Sequence, residues 1–402
     1  MGLFSFFKNA TYSSRKICLD ASLGNTLIAG SSRSGAEAVI RSYAIDSANN
    51  GFGVIIFRDQ KTGVSAYPSI AASARLIYEV DCTDNSTTNQ IDILAGLNDQ
   101  EANAFIIRIF DLYNEIDRGR KMSYQNYIAL LRSLAAKAHK KVRLDNLADF
   151  PIEEVELLNM TYCTGMEQTR NDRFLNSIRP EIRELESYFF EFSSNVPGYI
   201  FSGNKSLEQI FRTKPVVEVS LDFAGKTEES LLIMTEFVDA IARFRTVGSA
   251  VSGVNIIVDG APNEALIGSG IQRLIRGGRG FHVLYTVQDL SGLVDKSNEW
   301  VEFADSYFFF RQNSNKNKEF CSEFFGTYER QKSTVTQSVS NPTIWDRLSG
   351  RGSSSKSTGT SVTTEKERVY LPDVFAGLPD NQAIYYSKQN NEHTHQIGRA
   401  HV

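Results

Sequence analysis

No apolar run in this chain approaches the eighteen or so consecutive residues that a membrane-spanning helix needs, so no spanning segment is expected. The start of the chain does not read as an export signal either. Residues 1–8 are partly apolar but far too short for a signal peptide. Phe6 stands where an N-myristoylation site requires Ser or Thr. Leu3, Phe4, Phe6 and Phe7 suit burial in a core, with a weak peripheral membrane contact as the alternative. Cysteine is scarce: Cys18, Cys82, Cys163 and Cys321 lie far apart and show no metal-ligand spacing. They read as reduced thiols of a cytosolic protein, and no metal site is expected. Positive charge is not in excess. With a net charge of −4, the chain as a whole does not advertise nucleic-acid binding, which would need a local patch.

What is present is the composition of a globular protein, 41% hydrophobic and 22% charged, long enough for two domains. Three textures follow one another. From Asn25 to Leu97, short apolar runs alternate with helical spacing. Thr26–Ala29, Gly53–Phe57 and Leu76–Val80 are strand candidates, and Ala36–Ala48 repeats as a helix. Strand, helix, strand at this spacing predicts an open, mostly parallel sheet of the α/β class. Residues 99–213 change to helical periodicity, with Phe105, Ile109, Leu112 and Ile116 in one segment and Tyr127, Leu131 and Leu134 in the next. Pro151, Pro180 and Pro197 punctuate this stretch near expected helix ends. It reads as an all-α domain inserted into the sheet. Strands return at 216–221, 254–258, 282–286 and 306–310, with helices expected at 228–246 and 263–276.

The expected division is therefore 1–98 and 214–327 for the two parts of the sheet domain, with 99–213 as the insertion. Residues 328–368 are rich in Ser and Thr and are expected as a flexible segment. Residues 369–395 return to ordered texture and end in an edge strand near Ala383–Tyr386. Residues 396–402 resemble the translation of a sequencing-adapter oligonucleotide and are set aside from fold reasoning.

The junction between the first strand and the first helix carries Gly30, Ser31, Ser32, Arg33, Ser34, Gly35, Ala36 and Glu37. A phosphate-binding loop needs G-x-x-x-x-G-K-[ST] at such a junction. Both glycines have the required spacing, so the backbone can turn its N–H groups toward an anion at the helix N-terminus. The lysine position holds Ala36 and the hydroxyl position holds Glu37. Lysine would neutralise the β/γ-phosphates and the hydroxyl would ligate Mg²⁺; neither residue present does this. Alone the motif barely exceeds a Gly/Ser-rich turn. A second landmark strengthens it: the apolar run Asn255–Val258 ends in Asp259, where an acid would hold the magnesium shell. The next residue is Gly260, where many such enzymes place a water-polarising Glu. Asp259 also fits a simple strand-end cap. A third strand ends near Thr286 and Gln288, and Gln288 is the expected sensor position.

The order of these segments resembles a family. Asn25–Gly35, Phe57–Gly63, Ile91–Leu97, Val254–Ala261, Gly277–Gly280 and Thr286–Ser291 are similar, in sequence order, to landmarks of the conjugative coupling proteins. These are the TraG/TraD-type ATPases of type IV secretion, within the FtsK/HerA superfamily of P-loop motors. The late segment from Phe308 to Gly326 is similar as well. The resemblance implies a RecA-like P-loop sheet with an inserted all-α domain, and ATP-driven transfer of single-stranded DNA or protein. It implies Gly30 and Gly35 in the phosphate loop, Asp259 in the Mg²⁺ shell and Gln288 as sensor. It offers Arg273, Arg276 or Arg279 as an arginine finger, although a solvated helix face explains all three. Ala36, Glu37 and Gly260 depart from the pattern together, so the motifs are degenerate and the nucleotide-site roles are vestigial. Basic residues near the loop (Arg33, Arg41, Lys61) are candidates for rescue.

The first functional expectation is a pseudo-ATPase relative of coupling proteins, a component of a bacterial mobile element or secretion apparatus. An active, atypical DNA translocase using ATP and Mg²⁺ is the alternative, and an unrelated α/β binding protein is the third. The first two imply oligomers with related motor subunits, secretion or conjugation proteins as partners, and contact with single-stranded DNA. They also imply a cytoplasmic location, at most peripheral at the inner face of the membrane. The densest basic cluster is Lys137, Lys140, Lys141 and Arg143, which reads more simply as a solvated helix end than as a phosphate-binding patch.

Overall fold

Six short apolar runs dictate the architecture: β1 (Thr26–Ala29), β2 (Gly53–Asp59), β4 (Val216–Leu221), β5 (Val254–Asp259), β6 (Phe281–Val287) and β7 (Ser306–Phe309). They are buried along nearly their whole lengths, as strands of a parallel sheet covered on both faces must be. The computed structural model describes residues 23–30, 35–59, 77–83, 89–114, 116–195, 198–242, 251–260, 271, 281–288, 290, 303–340, 355–380, 382–388 and 392–396. With β3 (Ile77–Asp81), β10 (Ala383–Ser387) and β11 (Glu392–Gln396), the runs form a nine-stranded sheet in the order β11-β10-β7-β1-β6-β5-β2-β4-β3. From β7 to β3 all neighbours are parallel, whereas β10 and β11 add antiparallel at one edge. The expected final edge strand near Ala383–Tyr386 is thus not the edge, because β11 pairs along its outer side.

The faces of the sheet are covered by different elements. Helix α1 (Ala36–Asn49) lays Ile40, Tyr43 and Ala44 against Ile28, Ile56, Ile257 and Leu284. The opposite face, with Phe57, Val219, Val258 and Tyr285, belongs to a larger core that runs into the helical region without a break.

That region is the connection between two neighbouring strands. β3 and β4 pair in parallel from Ile77↔Val216 to Asp81↔Ser220, so the chain must cross over between them. The crossover contains α2 (Asp99–Asn114), α3 (Arg118–Lys137), α4 (Ile152–Tyr162), α5 (Gly165–Ser177), α6 (Arg179–Asn195) and α7 (Leu207–Phe211). Helix α3 shows why the periodicity was readable. Tyr124, Tyr127, Ile128, Leu131, Leu134 and Ala135 are buried at three- and four-residue steps, and Asp117 caps the start by accepting from the N–H groups of Gly119 and Arg120. Cys163 and Cys321 are buried and Cys82 is half-buried, all as free thiols.

Helix α8 (Thr227–Ala242) packs on the same face as the helical region and carries an unusual group. Glu236 is buried, and among the described residues neither of its carboxyl oxygens has a hydrogen-bond partner. Burial, with Asp239 adding repulsion, pushes its pKa well above the ordinary value of 4.5. The folded protein therefore holds this proton at pH values where the unfolded chain has lost it. The stability this gives is fully present below about pH 4.5 and declines as pH rises toward the folded-state value. Glu236→Gln should match the parent near pH 4 and exceed it increasingly at higher pH, by at most about 1.4 kcal/mol per pH unit. Urea unfolding at several pH values checks this; a pH-independent difference between the two proteins would refute it.

One segment departs from the sequence expectations. Residues 328–368, expected as flexible, include most of a long antiparallel ribbon of β8 (Thr327–Ser340) and β9 (Ser355–Arg368). Thr and Val are frequent in both strands and favour the extended backbone. The register sets Glu329 opposite Lys366 and Tyr328 opposite Glu367, and the Tyr328 hydroxyl donates to Glu367 at 3.2 Å. Composition alone hides such a strand pair, because it has no apolar face to bury. Helices α9 (Asn315–Phe324) and α10 (Pro372–Ala376) flank the ribbon in sequence. Phe324, Phe325 and Phe375 from this region pack with Phe309 of β7. The helix expected at 263–276 lies outside the described residues except for Ile271, as do the N-terminal phenylalanines and residues 397–402. Gln396, the first residue of the set-aside segment, closes β11 opposite Ala383.

Candidate functional site

Parallel strands bring their carboxyl ends to one edge of the layer, and ligands of open α/β sheets bind there. β1 ends at Ala29 and leads into Gly30, whose N–H donates to the carbonyl of Val287 at 3.1 Å. Gly35 then closes the turn before α1, with φ 104° in the left-handed region that a Cβ would strain. Its carbonyl accepts from the N–H of Ala38 at 3.1 Å. Ala36 is half-buried and Glu37 is exposed in the first turn of the helix. Ser31–Ser34, and with them Arg33, lie outside the described residues.

Asp259 lies at this same end of the sheet. It is not on the strand next to β1: β6 runs between β1 and β5. The loop and the acid therefore stand two strand spacings apart, about 10 Å. β6 itself fills the gap with chemistry. The register aligns Thr286 with Ile28 on one side and continues past Val258↔Tyr285 to place it beside Asp259 on the other. The Thr286 hydroxyl donates to Oδ1 of Asp259 at 2.6 Å and accepts from the N–H of Gly260 at 3.0 Å. Gly260 sits at φ 72°. The strand-end acid is therefore engaged by the threonine of the intervening strand.

Gln288, the expected sensor, is exposed immediately past the end of β6. Its main-chain carbonyl accepts from Asn317 Nδ2 at 3.1 Å, and the same asparagine accepts from the N–H of Leu290 at 3.2 Å. Thr286, not Gln288, is the β6 side chain hydrogen-bonded to Asp259. The signal for it was a lone hydroxyl near the end of an apolar run. Thr286→Val keeps the shape but leaves the Gly260 N–H without this acceptor and Asp259 without this donor. It should cost about 1–3 kcal/mol in denaturant unfolding. A variant as stable as the parent would show that the contact contributes nothing.

On the other side of β5, the register pairs Asp259 with Arg58 of β2, and Arg58 with Ser220 of β4. Arg58 Nε donates to Ser220 Oγ at 3.1 Å and forms an ion pair with the buried carboxylate of Glu218. Burial raises the Glu218 pKa, and Arg58 opposes that rise. One polar row thus crosses the sheet, from Thr286 through Asp259 and Arg58 to Ser220. Neither Arg58 nor Glu218 was singled out from the sequence, although each is a charge inside an otherwise apolar strand.

The residues at the loop do not match what a magnesium–nucleotide pair requires. Alanine at position 36 brings no cation, the carboxylate at 37 would oppose phosphate, and the single acid at 259 already has a donor on Oδ1. Among the described residues, no group of three or more His, Cys, Asp or Glu could hold a metal ion. Arg273, Arg276, Arg279 and Lys61 lie outside the described residues. The basic cluster in the helical region is internally paired: Lys137 with Glu167, Lys140 with Glu154, Lys141 with the buried Asp92 and Arg143 with Asp145. Among the described residues, no helix is long and apolar enough to cross a membrane.

Comparison with known proteins agrees with this arrangement. No curated protein matches the chain by sequence. Residues 254–380 match the family described as the TraM recognition site of TraD and TraG. Similar solved structures include the bacterial conjugative coupling protein TrwBdeltaN70 in its unbound form. It is 14% identical, covers 94% of this chain and 85% of that one, and has a TM-score of 0.55. Plasmid coupling protein TrwB in complex with the GTP analogue GDPNP is 15% identical, over 94% of this chain and 86% of that one, with a TM-score of 0.54. VirB4 of Thermoanaerobacter pseudethanolicus is 10% identical, over 93% and 89%, with a TM-score of 0.51. Residues 254–380 thus carry the match to the TraD/TraG family model, and the chain as a whole shares the fold of the coupling protein TrwB and of VirB4.

Proposed function

We propose that the chain is a coupling-protein-like component of a conjugative DNA-transfer or type IV secretion system, with nucleotide hydrolysis lost or weak. One observation carries this reading: Ala36 and Glu37 occupy the lysine and hydroxyl positions of the phosphate loop, while the strand-end acid is bonded to Thr286 and followed by Gly260. Removing a single charge-stabilising group from a phosphoryl-transfer site costs orders of magnitude in rate, and here three are replaced. The scaffold and its surfaces remain. In this reading the protein acts by assembling with related motor subunits and secretion proteins, in the cytoplasm at the inner face of the membrane. TrwB has been solved with ADP and Mg²⁺, which makes that pair the natural probe.

Isothermal titration of the full chain with ADP and with ATP, with and without Mg²⁺, tests the proposal, together with phosphate release in the presence of single-stranded DNA. Binding weaker than about 1 mM and no release above the blank are expected. Micromolar Mg²⁺-dependent binding with DNA-stimulated release would establish an active translocase instead.

A further inference from the structure

The ribbon formed by β8 and β9 is a sheet of its own, with fourteen paired residues on each strand and no bulge in the register. At about 3.3 Å per residue it is roughly 45 Å long. Its base is tied down: Arg368 pairs with Glu319 at 2.5 Å and donates to Ser322 at 3.2 Å, and the N–H of Val369 donates to the Gly326 carbonyl. Among the described residues, neither outer edge of the ribbon is paired.

Two isolated strands are marginal in water, and a third or fourth is usually needed for stability. Proteins also defend exposed edges with proline, bulges, short strands or several charges. This ribbon has no proline in either strand and no bulge. Over its distal halves, residues 333–340 and 355–362, Lys356 is the only charged residue. The rest is Ser, Thr, Val, Gln and Gly. Val335 is 56% exposed, and the Ser338 and Ser357 hydroxyls meet at 2.7 Å across the pair.

We propose that the distal half of this ribbon is a self-association surface, on which a second copy of the chain adds its own ribbon edge to edge, in antiparallel register about a twofold axis. Charge selects this occupant. A nucleic-acid strand would need several cations along its path, and one lysine does not supply them. A strongly acidic or basic protein segment would find no complement. An uncharged Ser/Thr/Val edge is complementary to itself, as an isologous contact requires. Joining two ribbons makes four strands, which removes the deficit each has alone. The inference is independent of the nucleotide site.

Sedimentation velocity of the full chain over a wide concentration range, with two double variants, tests it. Val335→Lys with Gln337→Lys charges the β8 edge, and Thr358→Lys with Thr360→Lys charges the β9 edge. Each puts like charges opposite one another only if that edge is the one used. The expected result is reversible dimerisation of the parent, weakened at least tenfold by one of the two variants. Because a charged ribbon can fail to fold, amide hydrogen exchange of the parent at low and high concentration supplies a second readout: the N–H groups of residues 333–340 or of 355–362 should exchange more slowly as the protein associates. A parent that stays monomeric, dimerisation untouched by both double variants, or exchange in both segments that ignores concentration would overturn the proposal. Oligonucleotide binding by a monomeric parent that is lost on Lys356→Glu would assign the ribbon to nucleic acid instead.

Discussion

Replacing Ala36 with Lys and Glu37 with Thr should give the full chain measurable affinity for Mg²⁺–nucleotide, at least about a hundredfold above the parent. The magnitude follows from the chemistry restored. A lysine on the β/γ-phosphates and a hydroxyl on the metal are each charge-assisted contacts worth about 1.5–3 kcal/mol, so two of them give two or more powers of ten. Removing the Glu37 carboxylate also removes a repulsion. Both positions lie at the start of α1, where Gly35 already adopts the left-handed turn, so neither change asks the backbone to move. Adding Gly260→Glu is a different matter. At φ 72° a side chain costs roughly 1–2 kcal/mol, so this third change should lower stability while supplying the acid a hydrolytic site needs. The double variant isolates binding, and the triple variant asks for turnover. Calorimetric titration is the measurement. No binding by either variant would mean that residues 30–37 are not a phosphate loop, whatever the fold.

The second large effect concerns the polar row beyond Asp259. Arg58→Met should destabilise the protein by about 3–5 kcal/mol, because it strands the buried Glu218 carboxylate without its counter-charge. Arg58→Met combined with Glu218→Leu should recover most of that loss, since replacing a buried pair with apolar residues is commonly near neutral. Urea unfolding of the four proteins completes the cycle. Equal losses in the single and double variants would show that Arg58 acts elsewhere, with Ser220 the first alternative.

Much of the fold was legible because local pattern decided it. Val54–Phe57 and Ile256–Val258 are apolar runs that only a doubly covered strand explains, and Tyr127, Leu131 and Leu134 recur at a spacing that only a helix satisfies. The ribbon was misread for an equally local reason. Its Ser/Thr content resembles that of disordered segments, and with both faces in water it shows no apolar alternation. At the site, Gly30, Gly35 and Asp259 were legible because each is tied to a turn or a strand end. Thr286, Arg58 and Glu218 were not, since their importance lies in neighbours such as Ser220, 162 residues from Arg58.

What residue identity settled by itself is the chemistry missing at the loop. No fold can give Ala36 a cation or Glu37 a hydroxyl, and no fold gives Gly260 a carboxylate. What tertiary structure alone decided is the company Asp259 keeps. Strand order in a parallel sheet is set by how long crossovers pack, not by position along the chain. That order puts β6 beside β5, and so a threonine hydroxyl onto the acid.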